Sequence, residues 1–185
     1  MKPETLTEME RLQLRNQYAI LEKLDTENAE HWKECQTILE RGYTFLYHKI
    51  LDPIWEELGY EECRYVLDVL DMHEGLQRSF QHFDDKDGIT EDDVAFPGFD
   101  GNNESHHLCF AAHIKKGSRW ETLATAIDSD WNSHFPTTQR YKRMLAKLNT
   151  IEDEHGMERK YRLSSNEIKE ILDFRFLATG PSSAA

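Results

Sequence analysis

The chain has 185 residues, enough for one domain or for two small ones that share a core. Its 22 Lys and Arg residues against 35 Asp and Glu residues give a formal net charge of −13, which disfavours binding to nucleic acid or to an anionic membrane. Hydrophobic residues make up 38% of the sequence, too many for a disordered chain, and no apolar run is long enough to span a membrane.

The predicted elements are helical, because apolar residues recur every three to four positions and the chain has only 9 Gly and 5 Pro residues. The first helix, over residues 7–24, is apolar around most of its circumference, so we expect it to be covered on several sides. The second, over residues 29–49, has a single apolar face and is predicted to form an antiparallel hairpin with the first. Asp52 and Pro53 then predict a boundary, because the residue before a proline disfavours helix.

The third predicted helix spans residues 61–83 and has a buried stripe that includes His73. Its apolar members are Val66, Val69, Leu70, Leu76, Phe80 and Phe83. The segment from Phe96 to Gly101 is the least regular part of the chain and predicts an internal boundary. Helices are expected again at residues 103–115, 120–128 and 137–148. Ser164 and Glu167 form a capping box that predicts the start of a last short helix.

These elements predict an all-α, multi-helical fold in which an N-terminal antiparallel hairpin packs with a second helical subdomain. We expect the hairpin to span residues 1–58 and the subdomain, sharing one core with it, to span residues 59–177. Residues 178–185 are small and polar, and a frayed tail is expected there.

Four segments allow a comparison with a known family: residues 12–18 (LQLRNQY), 36–43 (QTILERGY), 96–100 (FPGFD) and 161–168 (YRLSSNEI). In sequence and in order, they resemble the YfbU family of bacterial proteins. The resemblance covers nearly the whole chain, and the tail after Phe174 is longer than the family pattern. Membership implies an all-α fold with a helical hairpin and a second helical part. It implies no activity, substrate or cofactor, since the family is uncharacterised.

Three patterns contain metal-ligand residue types, and each has a structural explanation that we prefer. In the acidic loop from Asp84 to Asp93, an EF-hand register would put Phe83 and Val94 at the first and last ligand positions, which excludes a standard hand. We interpret the loop as a solvated turn. The other two patterns have helical ligand spacing, but we expect ordinary, partly buried helix positions. They are His106, Cys109 and His113, and the pair His31 and Cys35.

No glycine-rich phosphate loop, nucleophile elbow or metalloprotease motif occurs, so the sequence predicts neither a cofactor nor a catalytic residue. His73 is a candidate general base, yet its place within an apolar stripe favours a core histidine. A basic helix around Arg140 and Arg143, with a second basic cluster around Arg159 and Arg162, is interpreted as a solvated face or a surface for an acidic protein partner. Enzyme activity is left open, with a non-catalytic role preferred.

Charge and hydrophobicity together predict self-association. Residues 1–100 contain 10 basic against 24 acidic residues, whereas residues 101–185 contain 12 against 11. This division favours contact between the acidic and basic parts, within one subunit or between two. The apolar first helix adds a reason for homo-oligomerisation, and we predict that the interface includes Leu14, Tyr18 and Leu21.

The preferred hypothesis is therefore a cytoplasmic, homo-oligomeric interaction or regulatory module. The cytoplasm is expected because no secretory signal is evident and the three cysteines do not suggest a disulfide framework. The alternative is an enzyme or small-molecule binder that uses a pocket between the helical parts. Its lining candidates are Phe96, Phe99, His107 and Trp120.

Overall fold

A computed structural model describes residues 5–51, 54–115, 118–120, 122–123 and 130–175. The regular elements among these residues are all helical, which confirms the predicted all-α, multi-helical fold. The chain divides into two compact units, Met1–Glu57 and Leu58–Ala185. The α-helices of the described residues are α1 (Glu8–Leu24), α2 (Ala29–Arg41), α3 (His48–Leu51), α4 (Tyr60–Gln81), α5 (Glu91–Val94), α6 (Ser105–Ile114), α7 (Thr138–His155) and α8 (Ser165–Asp173).

The first unit is built on the predicted hairpin of α1 and α2. Its core is small, and its buried hydrophobic residues are Cys35, Ile38, Leu39, Tyr47 and Ile50. Polar contacts join the two helices at the edge of this core. The Arg15 guanidinium lies 2.8 Å from the Glu40 carboxylate, and the Gln36 amide donates to Glu22 at 3.0 Å.

The second helix ends earlier than the sequence predicted. Instead of continuing to Lys49, α2 stops at Arg41, and Gly42 adopts a left-handed conformation with φ of +66°. This left-handed φ is the reason that the turn favours glycine. The chain continues through a 3₁₀ turn at Thr44–Leu46 into α3.

The second unit has a much larger core, organised around α4. The predicted stripe is confirmed, with Phe83 half-buried at its end and the other apolar members buried. The helix α7 continues beyond the predicted end at Leu148 to His155, and it buries Ile151 in the added turns. The core also takes side chains from α6 and α8, so one hydrophobic cluster joins the principal helices of this unit.

The irregular segment from Phe96 to Gly101 is part of this core, and the prediction of a boundary there was wrong. Phe99 is fully buried, and its amide donates to the Trp131 carbonyl at 2.9 Å. Gly98 has φ of +96°, and a Cβ at this position would overlap the Trp131 carbonyl. The segment is irregular because its backbone must approach another backbone closely, which only glycine allows here.

A buried carboxylate positions the start of α7. Glu104 accepts hydrogen bonds from the amides of Thr137 and Thr138 at 2.8 and 2.6 Å, from the Thr137 hydroxyl, and from the Asp100 amide. Burial alone would raise the Glu104 pKa, but these donors outweigh it and lower the pKa to about 2. The charged side chain therefore joins the 96–101 segment to the N-terminus of α7.

The predicted capping box at the last helix is confirmed. The Ser164 hydroxyl accepts from the Glu167 amide at 3.3 Å, and the Glu167 carboxylate accepts from the Ser164 amide at 2.7 Å. Arg159 binds the same carboxylate at 2.7 Å. Three other predictions fall wholly or largely outside the described residues: the boundary at Asp52 and Pro53, the helix over residues 120–128 and the tail over residues 178–185.

Candidate interaction surface

The helix α1 begins at a complete capping box. The Thr7 hydroxyl accepts from the Glu10 amide at 3.3 Å, and the Glu10 carboxylate accepts from the Thr7 amide at 2.7 Å. This pairing lowers the Glu10 pKa through the hydrogen bonds from Thr7. At the other end, the Asp25 amide donates to the Leu21 carbonyl, and the Asp25 carboxylate accepts from the Trp32 indole at 3.1 Å. The sequence thus fixes both ends of α1 by local hydrogen bonds.

One side of α1 packs against α2. Leu14 and Tyr18 are half-buried there, next to the core of the first unit. The Tyr18 ring stacks on Trp32 with a centroid distance of 5.7 Å, and burial raises the Tyr18 pKa. The Arg11 guanidinium donates to the Leu39 carbonyl at 3.1 Å. These contacts define the side of α1 that the hairpin itself covers.

The opposite side of α1 is exposed and apolar. Although α1 has 17 residues, none of them is buried. Four large side chains form what we call the outer face, with exposed fractions of 63%, 53%, 60% and 77%. They are Met9, Leu12, Ile20 and Leu24. Such a face on a folded helix is a candidate for contact with another molecule.

The structure places the three interface residues predicted from sequence away from the middle of this face. Leu14 and Tyr18 point to α2, and Leu21 is 36% exposed. The predicted interface does not include the members of the outer face, although the sequence contains a pattern that groups them on one side of the helix. Residues 12, 16, 20 and 24 are four apart and form one row along a helix, with Asn16 as its only polar member.

The aromatic pocket candidates fill the core of the second unit rather than line an open pocket. Phe96, Phe99 and Trp120 are 6%, 0% and 5% exposed. The Trp120 indole donates to the Asp71 carboxylate at 2.9 Å, which satisfies its polar atom inside the core. His107 is half-buried, with its ring 5.6 Å from Phe99, and burial lowers its pKa. The three aromatic side chains are therefore members of the hydrophobic core of this unit.

His73 occupies the same core. It is 1% exposed, and its ring centroid lies 5.1 Å from that of Phe96 and 5.2 Å from that of Tyr141. Burial, together with the charge of Arg140, lowers the His73 pKa to about 3, so the ring is neutral at physiological pH. A group enclosed in this way has no access to a substrate, so its environment is that of a core residue.

The metal-ligand patterns are found in ordinary structural settings. His106 is half-buried, whereas Cys109 and His113 are exposed. In the acidic loop, the Asp87 carboxylate pairs with Lys169 at 2.6 Å, and Asp93 caps α5. Within the part of the chain that the structure describes, no group of three or more His, Cys, Asp or Glu side chains is placed to hold a metal ion.

Several basic side chains of the second unit are engaged within that unit. Lys147 pairs with Glu170 at 2.6 Å, and Arg159 pairs with Glu167. Arg143 donates to the carbonyls of Phe174 and Arg175. These contacts reduce the basic surface that the sequence suggested.

Among the described helices, none combines the length and the hydropathy that a membrane-spanning segment requires.

The four segments that carry the family resemblance lie at defined structural features. Residues 12–18 contain the middle of α1, and residues 36–43 contain the end of α2 with its left-handed glycine. Residues 96–100 supply the buried crossing at Gly98, and residues 161–168 contain the capping box of α8. A family model for the YfbU domain matches residues 4–174, and the chain therefore belongs to the YfbU family.

Proposed function

We propose that this protein is a self-associating helical module in which the outer face of α1 packs against the same face of a second copy. The observation that carries the proposal is a row of exposed apolar side chains on a helix that buries none of its own residues. Large apolar patches on folded proteins are commonly interaction sites. Since most homo-oligomers are closed by a two-fold axis, one self-complementary face is sufficient for a dimer.

The spacing of the outer face supports an antiparallel crossing centred on Asn16. In that register, Leu12 of one copy lies against Ile20 of the other, because the two positions are equally far from the centre. Met9 similarly lies close to Leu24 of the other copy. Each large apolar side chain then meets another, and the contact is the same for both copies.

The charges at the ends of α1 support the same orientation. The first turn contains Glu8 and Glu10, and the last turn contains Lys23. An antiparallel pair brings each acidic first turn close to the basic last turn of the other copy, whereas a parallel pair would bring like charges together. Opposed helix dipoles favour the same arrangement.

We propose no catalytic activity, and we favour an interaction or regulatory role in the cytoplasm. Cys35, Cys63 and Cys109 are all free thiols, which supports a reducing compartment. The strongly acidic composition supports a further protein partner with a basic surface. These roles all depend on contact between macromolecules.

The test is sedimentation equilibrium on the full chain and on an Ile20→Lys variant at micromolar concentration. We expect the unmodified protein to be a dimer. The substitution places a charge in the middle of the outer face, so we expect association to weaken by about tenfold or more. Circular dichroism of both proteins will check that the helices are retained.

Met157→Lys is the matched control, because Met157 is 75% exposed and lies in the second unit. This variant adds the same charge outside the proposed interface, and we expect its association to match that of the unmodified protein. A monomeric unmodified chain at micromolar concentration, or equal effects of the two substitutions, would contradict the proposal.

A further inference from the structure

A groove of about 880 Å³ crosses the surface of the second unit. One wall is formed by the C-terminal end of α4 and the two residues that follow it. The opposite wall is formed by the last residue of the 3₁₀ turn Met157–Tyr161 and the two residues that follow that turn. The volume is within the range of about 300–1,000 Å³ that is typical of small-molecule sites. The residues that matter for its chemistry are Arg78, Gln81, His82, Phe83, Tyr161 and Arg162.

The two walls are held together by close backbone contacts. The buried Ser79 hydroxyl accepts a hydrogen bond from the Leu163 amide at 2.9 Å. One turn earlier in α4, a Cβ at Gly75 would overlap the Lys160 carbonyl, so the turn approaches α4 where it has no side chain. The backbones of the two walls are therefore held at a fixed separation, as a preformed site requires.

The described side chains that line the groove carry charge of one sign. No Asp or Glu is among the lining residues that the structure describes, although the whole chain contains 35 acidic residues. Arg162 is exposed, and its guanidinium has no hydrogen bond or ion pair with any residue that the structure describes. Its five N–H donors are therefore available to a ligand.

Arg78 supplies the second guanidinium. Its Nε lies 2.9 Å from Oε1 of the buried Glu74, and this ion pair holds the Arg78 side chain in position. The Thr122 hydroxyl donates to the same Glu74 oxygen at 2.9 Å. The adjacent His82 is oriented by a 2.6 Å contact between its Nδ1 and the Arg78 carbonyl. The basic groups of this wall are thus held in place by α4 itself.

We propose that this groove binds a small organic anion through phosphate or carboxylate groups, with Arg78 and Arg162 as its principal ligands. Guanidinium groups pair with both anions through two parallel hydrogen bonds, and this shared geometry defines the ligand class. The rings of Phe83 and Tyr161 provide apolar surface for the remainder of the molecule. The site lies within the second unit and is independent of the proposed self-association.

The test is isothermal titration calorimetry of the full chain with adenosine diphosphate, citrate and neutral adenosine as probes. We expect saturable binding of adenosine diphosphate or citrate, and the one that binds identifies phosphate or carboxylate as the recognised group. Arg162→Gln should weaken that binding by about tenfold. Arg78→Lys keeps a cation beside Glu74 but loses the planar fork, so it should also weaken binding while the protein remains folded.

Arg41→Gln is the matched control, because Arg41 is exposed in the first unit and its replacement changes the net charge equally. Its affinity for the anion should equal that of the unmodified protein. The proposal is overturned if neither anion gives saturable binding in the millimolar range. It is also overturned if adenosine binds as well as its diphosphate, or if Arg41→Gln and Arg162→Gln have the same effect.

Discussion

The two units of the chain differ in how much of their apolar surface they bury. In the second unit, α4 alone contributes six buried hydrophobic side chains, whereas α1 in the first unit contributes none. Among its described residues, the first unit has five buried hydrophobic side chains in its core. Since burial of apolar surface is the main favourable term in folding, the second unit has its own source of stability, and the first would gain from a neighbour that covered the outer face of α1. Four experiments can challenge or refine this contrast.

The largest effect is expected from Gly98→Ala in the core of the second unit. The new Cβ would overlap the Trp131 carbonyl, and φ at this position is +96°. We expect the free energy of unfolding to fall by more than about 3 kcal/mol, because both the clash and the backbone strain must be relieved. Urea denaturation followed by tryptophan fluorescence will measure it.

Gly88→Ala is the control that measures the cost of backbone strain without a steric clash. Gly88 has φ of +76°, and no atom lies within 4 Å of a Cβ built there. We expect its cost to be about 1 kcal/mol. Equal costs at both positions would mean that the close approach of Trp131 does not constrain the core.

Glu104→Gln should give the next largest effect and should depend on pH. The Glu104 pKa is lowered from 4.5 to about 2, so the carboxylate stabilises the fold fully above its ordinary pKa. This contribution is lost as the pH falls through about 2, when the folded protein takes up the proton. At neutral pH we expect the variant to be about 2 kcal/mol less stable, because the new amide group faces N–H donors.

Denaturation of both proteins at a series of pH values between neutrality and the acid limit will test this. The difference between Glu104→Gln and the unmodified protein should shrink as the pH falls. The exposed Glu158 supplies the control, and Glu158→Gln should change stability little at any pH. A difference for Glu104→Gln that is constant with pH would contradict the role given to the charged carboxylate.

The contrast between the units also predicts that protein concentration affects them differently. If a second copy covers the outer face of α1, a tenfold rise in concentration should stabilise the first unit by about 1 kcal/mol. Amide hydrogen exchange should then slow in α1 and remain unchanged in α4. Exchange in α1 that is independent of concentration would show that this unit is stable without self-association.

The smallest effects are expected from removing the N-cap hydroxyl of one helix in each unit. Ser164→Ala should cost about 1 kcal/mol, because its hydroxyl caps α8 and Glu167 also holds Arg159. Thr7→Ala should cost about 0.5 kcal/mol, since the Thr7 cap is exposed and has no ion pair with another residue that the structure describes. Thermal unfolding followed by circular dichroism will compare them. A larger loss for Thr7→Ala would reverse the proposed order of stability.

Periodicity predicted the helical class, the hairpin and the buried stripe of α4, because an amphipathic helix encodes its own buried side. Local motifs predicted the cap at Ser164 for a similar reason, since donor and acceptor are three residues apart. The misplaced boundary at residues 96–101 shows the limit of this reasoning. Glycine is required at position 98 because the Trp131 backbone lies against it. Trp131 is far away in sequence, so a local sequence pattern does not predict this contact.

The candidate sites were harder to predict for the same physical reason. Arg78 and Arg162 lie on opposite walls of the groove, and their neighbours Ser79 and Leu163 are 84 positions apart. The outer face of α1 was more accessible to prediction, because its members repeat every four residues. Since α1 has apolar residues on several sides, its own sequence does not show which side meets α2, and the sequence therefore predicts an interface at Leu14 and Tyr18, which the hairpin itself half-buries.

The glycine in the middle of α4 has a consequence for how the groove can vary. Glycine in a helix interior is about 1 kcal/mol less favourable than alanine, yet Gly75 occupies such a position beneath the Lys160 carbonyl. A single added methyl group would act as a spacer and push the turn outward. We therefore expect Gly75→Ala to improve the local helix propensity and, at the same time, to widen the groove.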